Sequence, residues 1–399
     1  MGFLNSFLNF FIENKWILLF YLAIFLIVYT NRKKFEIQAK VIALYRTKFG
    51  VNAIHKFAKN HSEFIKIMGY IGIGVGFIGL ITISGMMLKA LWDLFFIPHA
   101  PAAVSLIIPG VKIPGSSIFV PFWYGIIALF FVVLIHEFSH GIVAASHGLK
   151  IKHTGIVFFG PIIGAFVEPD EKEIKKQSDV VQYSIFAAGP FSNVILAGIA
   201  IALMVFVFAP IHSSLTDEVG VSFSAIQNNT PAEKSGLYYN MTLIKADDTK
   251  IKGLSEFESF LTYVKPNQTI TIYSDKNENF TIVTTTHPDN PKKGYLGVIG
   301  AHSVTKLKND AAVFKFADSS TIIISTLLLW IYILSLGIGL ANLLPLGPVD
   351  GGRILQTALH KTTGTEKKGN VIWHKVTLLT ILVLLILLLM PIFRSVIKF

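Results

Sequence analysis

His136-Glu137-Phe138-Ser139-His140 sets two histidines four residues apart, with a carboxylate directly after the first. On a helix that spacing stacks both imidazoles on one face, where they can hold zinc, and keeps the glutamate within reach as a general base. The motif lies inside an almost unbroken apolar run from Ile118 to Ala145. An ionisable side chain at membrane depth costs about 2.5–3.5 kcal/mol on insertion scales, so polar residues there need a role. The plain alternative is three polar side chains that face a bundle interior and bond neighbouring helices. The reading taken forward is a metallohydrolase that works inside a membrane.

A catalytic zinc usually has three protein ligands and an open position for water. The chain has no cysteine, which removes thiolate ligands, a thiol nucleophile and disulfides. The third ligand must then be a histidine or a carboxylate. Asp350 is the candidate, in Asn342-Leu343-Leu344-Pro345-Leu346-Gly347-Pro348-Val349-Asp350-Gly351-Gly352-Arg353. Pro345 and Pro348 break a span, and the paired glycines allow a tight turn. Irregular backbone at membrane depth persists only where protein or a water cavity surrounds it. The alternative is a cytoplasmic turn capped by an aspartate. Asn342, which opens this segment, is a candidate substrate contact. His147 and His153 are rival ligands, but His147 sits about 10 Å beyond His140 along the same helix and reads as solvated. Gly189-Pro190-Phe191-Ser192-Asn193 offers a small residue for close packing and an amide one turn later. The Asn193 amide can meet a substrate carbonyl or a developing oxyanion, or else bridge two helices.

These residues need a membrane scaffold, and the composition supplies one. Of 399 residues 52% are hydrophobic, and mean hydropathy is +0.60, values that fit a multi-span membrane protein rather than a soluble domain. Candidate spans fall at about 10–30, 67–88, 118–146, 183–210, 319–344 and 372–393, most of them near the ~20 residues a helix needs to cross hydrocarbon. The net charge of +11 is explained by basic loops beside spans, not by nucleic acid. Segment 31–66 carries nine Lys or Arg against Glu36 and Glu63, so it should be cytoplasmic. Alternation then places 147–182 and 345–371 inside, and 89–117 and 212–317 outside. His136 and Asn193 each fall about 15 Å inside the cytoplasmic end of their spans, and Asp350 follows the cytoplasmic end of the next.

Block 212–317 differs in kind. Short β-branched runs such as Thr269–Tyr273 and Phe280–Thr284 alternate with turn clusters, which predicts a small β-rich soluble domain. Asn228, Asn240, Asn267 and Asn279 begin sequons, which suit an external face. Asn229–Leu237 reads as a capped short helix closed by glycine. With Leu243–Asp247 it resembles a PDZ domain of the bacterial protease type, and such domains bind extended peptides by strand addition. Gly220-Val221-Ser222-Phe223 is the candidate carboxylate-binding loop, with Gly220 and Phe223 as substrate contacts. An inert β spacer is the alternative. Gly74-Val75-Gly76-Phe77-Ile78-Gly79 matches a dinucleotide fingerprint, but no strand–turn–helix context surrounds it, and close helix packing explains it better. Between Lys150 and Asp170, two apolar pieces, Gly155–Phe159 and Ile162–Val167, predict a hairpin that dips toward the membrane.

HExxH in one span, Gly-xxx-Asn in the next and Asn-Leu-Leu-Pro…Asp-Gly in a third resemble the site-2 protease family of intramembrane zinc metalloproteases. The resemblance covers roughly residues 118–360, interrupted by the PDZ-like block, and Gly164–Glu171 brings it closest to archaeal members. It implies His136, His140 and Asp350 as zinc ligands, Glu137 as catalytic base, and Asn193 near the substrate backbone. Val349 stands where leucine is usual, a conservative departure. The expected fold is an all-α multi-span membrane protein of about six transmembrane helices, with a small β-rich PDZ-like extracytoplasmic domain. The expected divisions are 1–66, 67–211, 212–317 and 318–399. Zn2+ is the implied cofactor. The expected partners are single-span membrane protein substrates, peptide termini at the PDZ-like domain, and membrane lipid, with no nucleic acid. The expected location is the cell membrane, with the active site in its cytoplasmic half. Two other readings stay open: an anchored zinc protease of soluble cytoplasmic proteins, and a non-enzymatic scaffold that binds membrane peptides.

Overall fold

Apolar runs free of charge become long helices, and the breaks between them carry the polar chemistry. The computed structural model describes residues 12, 14–38, 42–97, 104, 107–111, 118–159, 162–288 and 290–397. Contacts divide the chain into two units, Met1–Met204 with Ser325–Phe399, and Val205–Ile324.

The first unit begins with helix α1 (Lys15–Thr30) and strands β1 (Glu36–Gln38) and β2 (Ile42–Thr47). A short helix α2 (Val51–Asn60) precedes the long α3 (Ser62–Phe96), and α4 (Phe122–Ser146) carries the HExxH motif. Strands β3 (Ile151–Phe159) and β4 (Ile162–Pro169), a turn of helix α5 (Glu171–Ile174) and α6 (Asp179–Leu203) follow. A π-turn, Met204–Phe208, runs from α6 into α7 (Ala209–Leu215).

Strands β1 to β4 form one antiparallel sheet in chain order. The expected hairpin is present, but β2 pairs with β3 over six residues, Ile42↔Phe159 to Thr47↔Thr154. Segment 31–66, expected as a loop, therefore supplies half the sheet and helix α2. The reason lies in its alternation, weak to the eye among so many lysines.

Close packing joins the helices around the motif. Any Cβ at Gly72 would lie 3.2 Å from the Phe191 ring, and at Gly76 3.0 Å from Ala187. These two glycines let α3 approach α6, the task of GxxxG in lipid. The fingerprint-like glycines thus sit mid-helix in α3, with helix and not strand directly before them. Ile54, Ala58, Val143, Ala144, Val167, Ile185 and Ile354 belong to one buried cluster, against which Phe138 of the motif packs.

The second unit holds strands β5 (Thr216–Ile226), β6 (Leu243–Ala246), β7 (Thr249–Lys250), β8 (Thr269–Ser274), β9 (Asn279–Val283), β10 (Thr285–His287), β11 (Asn290–Tyr295) and β12 (Val298–Leu307), with helices α8 (Pro231–Lys234) and α9 (Leu254–Tyr263). The main sheet runs β12-β5-β6-β8-β9. Phe223, Leu243, Phe257, Ile270, Ile272 and Ile282 fill its core. Helix α8 is closed by Gly236 at φ +80°, a left-handed turn that suits glycine.

Gly220–Phe223 is corrected here. It is not a loop but the middle of β5, with Val221 paired to both Ser303 and Leu243. Phe223 is a fully buried core residue. A Gly-x-x-Phe pattern looks the same in a buried strand and in a binding loop.

The chain then runs through α10 (Ala312–Asn342), α11 (Asp350–Thr363) and α12 (Glu366–Ile397). Among the described residues, five helices are long and apolar enough to cross a membrane: α3, α4, the continuous Asp179–Leu215, α10, and Glu366–Pro391 of α12. Their outward faces leave Ile78, Ile81, Phe206 and Leu378 at least two-thirds exposed, as lipid contact requires. The described part of the first candidate span, α1, has 16 residues. The rest of that segment, and the Met1–Ser6 end, lie outside the described residues.

Candidate metal centre

The metal site is assembled by the inner part of one helix, the start of another and one glycine. On α4, His136 and His140 share a face, with ring centroids 4.9 Å apart. Helix α10 ends at Asn342, and after a turn through Pro345 and Pro348 helix α11 begins at Asp350. Side chains at Gly351 or Gly352 would overlap the carbonyls of Leu343, Leu344 and Leu346. Only bare backbone lets this turn fold back on the start of α11 and aim Asp350 inward. His136 Nε2 then lies 3.1 Å and His140 Nε2 3.4 Å from Asp350 Oδ2. One ligand atom from each of the three falls within 4.8 Å of the others. Among the described residues this is the one such cluster that could hold a metal ion.

Further contacts fix the ring faces. His140 Nδ1 lies 2.7 Å from the Ile185 carbonyl, so Nδ1–H donates and Nε2 keeps its lone pair for a metal. Asn193 is fully buried, with Nδ2 3.1 Å from His136 Nδ1 and Oδ1 without a partner among the described residues. Amide nitrogen and oxygen have the same shape. Turning the amide over gives Oδ1 the Nδ1–H of His136 and again frees Nε2. Both imidazoles are thus held in the tautomer a metal needs, an observation that the donor set fits a borderline cation such as zinc.

Asn193, read from sequence as a substrate contact, does not line the cleft that Glu137 lines. It stands behind His136, closed off from the cleft, and Ser335 Oγ donates to its backbone carbonyl at 3.0 Å. Asn193→Leu is expected to keep the fold and weaken metal affinity by roughly 10–100-fold, the usual effect of losing such a partner. Asn193→Asp, which can still accept from Nδ1–H, should restore most of it. Metal titration against a competing chelator reads both, and equal affinity in Asn193→Leu and the parent would remove the role.

Gly189 does more than pack. A Cβ there would fall on the Nε2 atoms of both His136 and His140, the atoms that would face the metal. Its spacing four residues before Asn193 was the available signal, since both lie on one face of α6. Pro190 follows it inside the helix.

Glu137 lines a cleft of about 450 Å³ with His140 and Asp350. Val167, Glu168 and Pro169 of β4 form another of its walls. The rival ligands stand apart. His147 closes α4 beside Tyr70 and Ser184, where burial and nearby Lys66 hold it below the usual histidine range. His153 sits on β3 with Nδ1 3.4 Å from Glu168. Asn342 turns its amide back to the Ile338 carbonyl of its own helix, at 3.1 Å.

Two histidines and a carboxylate thus converge from one apolar helix and the start of another, a set that could hold a metal ion. A family model described as peptidase family M50 matches residues 124–385. The chain belongs to that family, the site-2 proteases, which makes it a metalloprotease by kinship and, with its five apolar helices, a multi-pass membrane protein. It is similar to the uncharacterized protein MJ0971 of Methanocaldococcus jannaschii, 28% identical over 349 residues, 85% of this chain and 84% of that one. It is also similar to the probable protease eep of Enterococcus faecalis, 26% identical over 227 residues, 46% of this chain and 52% of the relative.

Proposed function

We propose that the chain is an intramembrane zinc protease that hydrolyses peptide bonds within or beside the membrane-spanning segments of other membrane proteins. The convergence of His136, His140 and Asp350 at a cleft that Glu137 also lines carries this reading. When bound, zinc polarises a carbonyl and lowers the pKa of a water molecule. Glu137 is placed to take a proton from water in that cleft and to hand it to the departing amine.

The substrate must meet the site in extended form, because a helix hides its backbone groups. Strand β4 pairs only with β3 among the described residues, and its end lines the cleft. Its open edge supplies the N–H and C=O groups to hold an unwound substrate as an added strand.

In the second unit a groove of about 350 Å³ lies between α9 and the turn from β11 to β12. Strand β12 is an edge strand of its sheet, and Gly297 in the turn has φ +88°. We place peptide binding by the PDZ-like domain in this groove, with the carboxylate turn at 294–298 rather than 220–223. Binding there would select substrates by an exposed peptide end.

The test is cleavage of a panel of single-span proteins by the zinc-loaded chain. Cleavage that stops with a chelator and returns with zinc is expected. Turnover of soluble unfolded proteins alone would overturn the intramembrane reading and favour an anchored protease. The charge of 31–66 sets the topology, so residues 230–290 should be cut by protease added outside intact cells. Their protection, with an outer-membrane-face control cut in parallel, would reverse the orientation.

A further inference from the structure

A second cleft, about 470 Å³ in volume, adjoins the catalytic one and shares Glu171, Ile174, Phe186, Pro348 and Arg353 with it. It lies among α5, the start of α6, α11 and the start of α12. Nothing in the metal chemistry uses it, yet its size is that of a ligand site.

The partition between the clefts includes one ion pair. Arg353, one helical turn beyond Asp350, donates from Nη2 to Glu171 Oε1 at 2.8 Å and lies over the Phe186 ring at 5.5 Å. Both partners are over a third exposed, so the pair is weakly held and can separate as a ligand enters.

The chemistry of the second cleft is that of a peptide backbone's partner. Gln182, Gln356 and Asn370 present amides. Asn370 Oδ1 receives Gln356 Nε2 and His360 Nε2, each at 2.8 Å. That leaves the Asn370 amide nitrogen as donor and the Gln356 oxygen as acceptor, with no other partner for either among the described residues. The charges do not favour an ion: Lys175 and Arg353 are offset by Glu171, Asp179 and Glu366. A free phosphate or other anion has no excess of cations to bind here.

Direction supplies the rest. An extended segment following β4 toward Pro169 runs past Val167 and Glu168 at the catalytic cleft, and the next residues of the chain are Asp170 and Glu171 at the partition. We propose that the second cleft is a substrate subsite for an uncharged polar stretch flanking the scissile bond, entered when the Arg353–Glu171 pair opens. The inference rests on the protease reading above and adds a sequence preference to it: serine, asparagine or glutamine where the substrate leaves the membrane, not a continued apolar run.

The chain has no cysteine, so single introduced thiols report contacts cleanly. The experiment starts from a single-span test protein that the parent cleaves. Gln356→Cys, in a Glu137→Gln background that holds substrate uncut, is mixed with variants of that protein carrying one cysteine at successive flanking positions. Disulfide crosslinks confined to a short window on one side of the scissile bond, and lost when cysteine-free substrate competes, are expected. Glu168→Cys in the catalytic cleft is the control. Crosslinking at Glu168→Cys with none, or no window, at Gln356→Cys overturns the subsite while leaving the protease intact. Absence of any cleavage by the zinc-loaded parent overturns the protease reading and the subsite with it. As a second readout, Asn370→Leu should raise KM several-fold for a substrate with a polar flank and leave kcat unchanged. An apolar flank should abolish that difference, and an equal KM change with both flanks counts against the subsite.

Discussion

Glu137→Gln is expected to fold, keep its metal and lose peptide cleavage by roughly two to four orders of magnitude, the usual contribution of a positioned acid–base group. Glutamine matches glutamate in shape but cannot take a proton from water or return one to an amine. Glu137 lines the same cleft as His140 and Asp350, while the three candidate metal-binding side chains converge without it. Metal content and activity should therefore part company in this variant. Both are read on the same purified sample, by elemental analysis and by cleavage of a single-span substrate. Turnover equal to the parent's would remove Glu137 as the base. Loss of metal together with activity would make it a structural residue instead.

Asp350→Ala is expected to do the opposite and remove both. Its Oδ2 is the point at which His136 and His140 converge, and two imidazoles alone leave a zinc site short of its usual three protein ligands. Bound zinc should fall from about one per chain to well under half, and cleavage should vanish with it. His147→Ala should leave both near the parent, because His147 sits at the far end of α4 against Tyr70 and Ser184. Full zinc in Asp350→Ala with depleted zinc in His147→Ala would reverse the assignment.

The chemistry of the site was largely legible in the amino-acid order. An i, i+4 histidine pair states its own geometry, because a helix fixes which side chains share a face. The Pro-broken segment announced a turn, and its aspartate had few rivals in a chain without cysteine. Periodicity also announced the long helices and the change to β-rich sequence near residue 212. What failed to show were features that depend on which surfaces meet. Asn193 looks the same whether it faces a substrate or the back of His136, and only its complete burial decides. Gly189 reads as a packing residue until the histidine nitrogens appear where its Cβ would be. Gly220–Phe223 carries a loop-like pattern, but pairing on both sides made it a core strand. Pairing between β2 and β3 joins residues more than a hundred apart, and no local pattern encodes a partner at that range.

That last pairing bears on where the molecule can be cut. The family match covers residues 124–385, which invites a trimmed catalytic core. Removing everything before residue 124 would strip β1 and β2 from the sheet and bare the backbone of β3 from Thr154 to Phe159. The remaining hairpin would have two open edges, one beside the cleft and one newly made, and an isolated two-stranded ribbon is marginal in water. A fresh edge of Thr154-Gly155-Ile156-Val157-Phe158 is also an invitation to pair with a neighbour. Helix α2 would go too, and with it the Ile54 contact against Gly141 on the HExxH helix. The segment that the family match leaves out is, in physical terms, half of the platform on which the catalytic cleft rests.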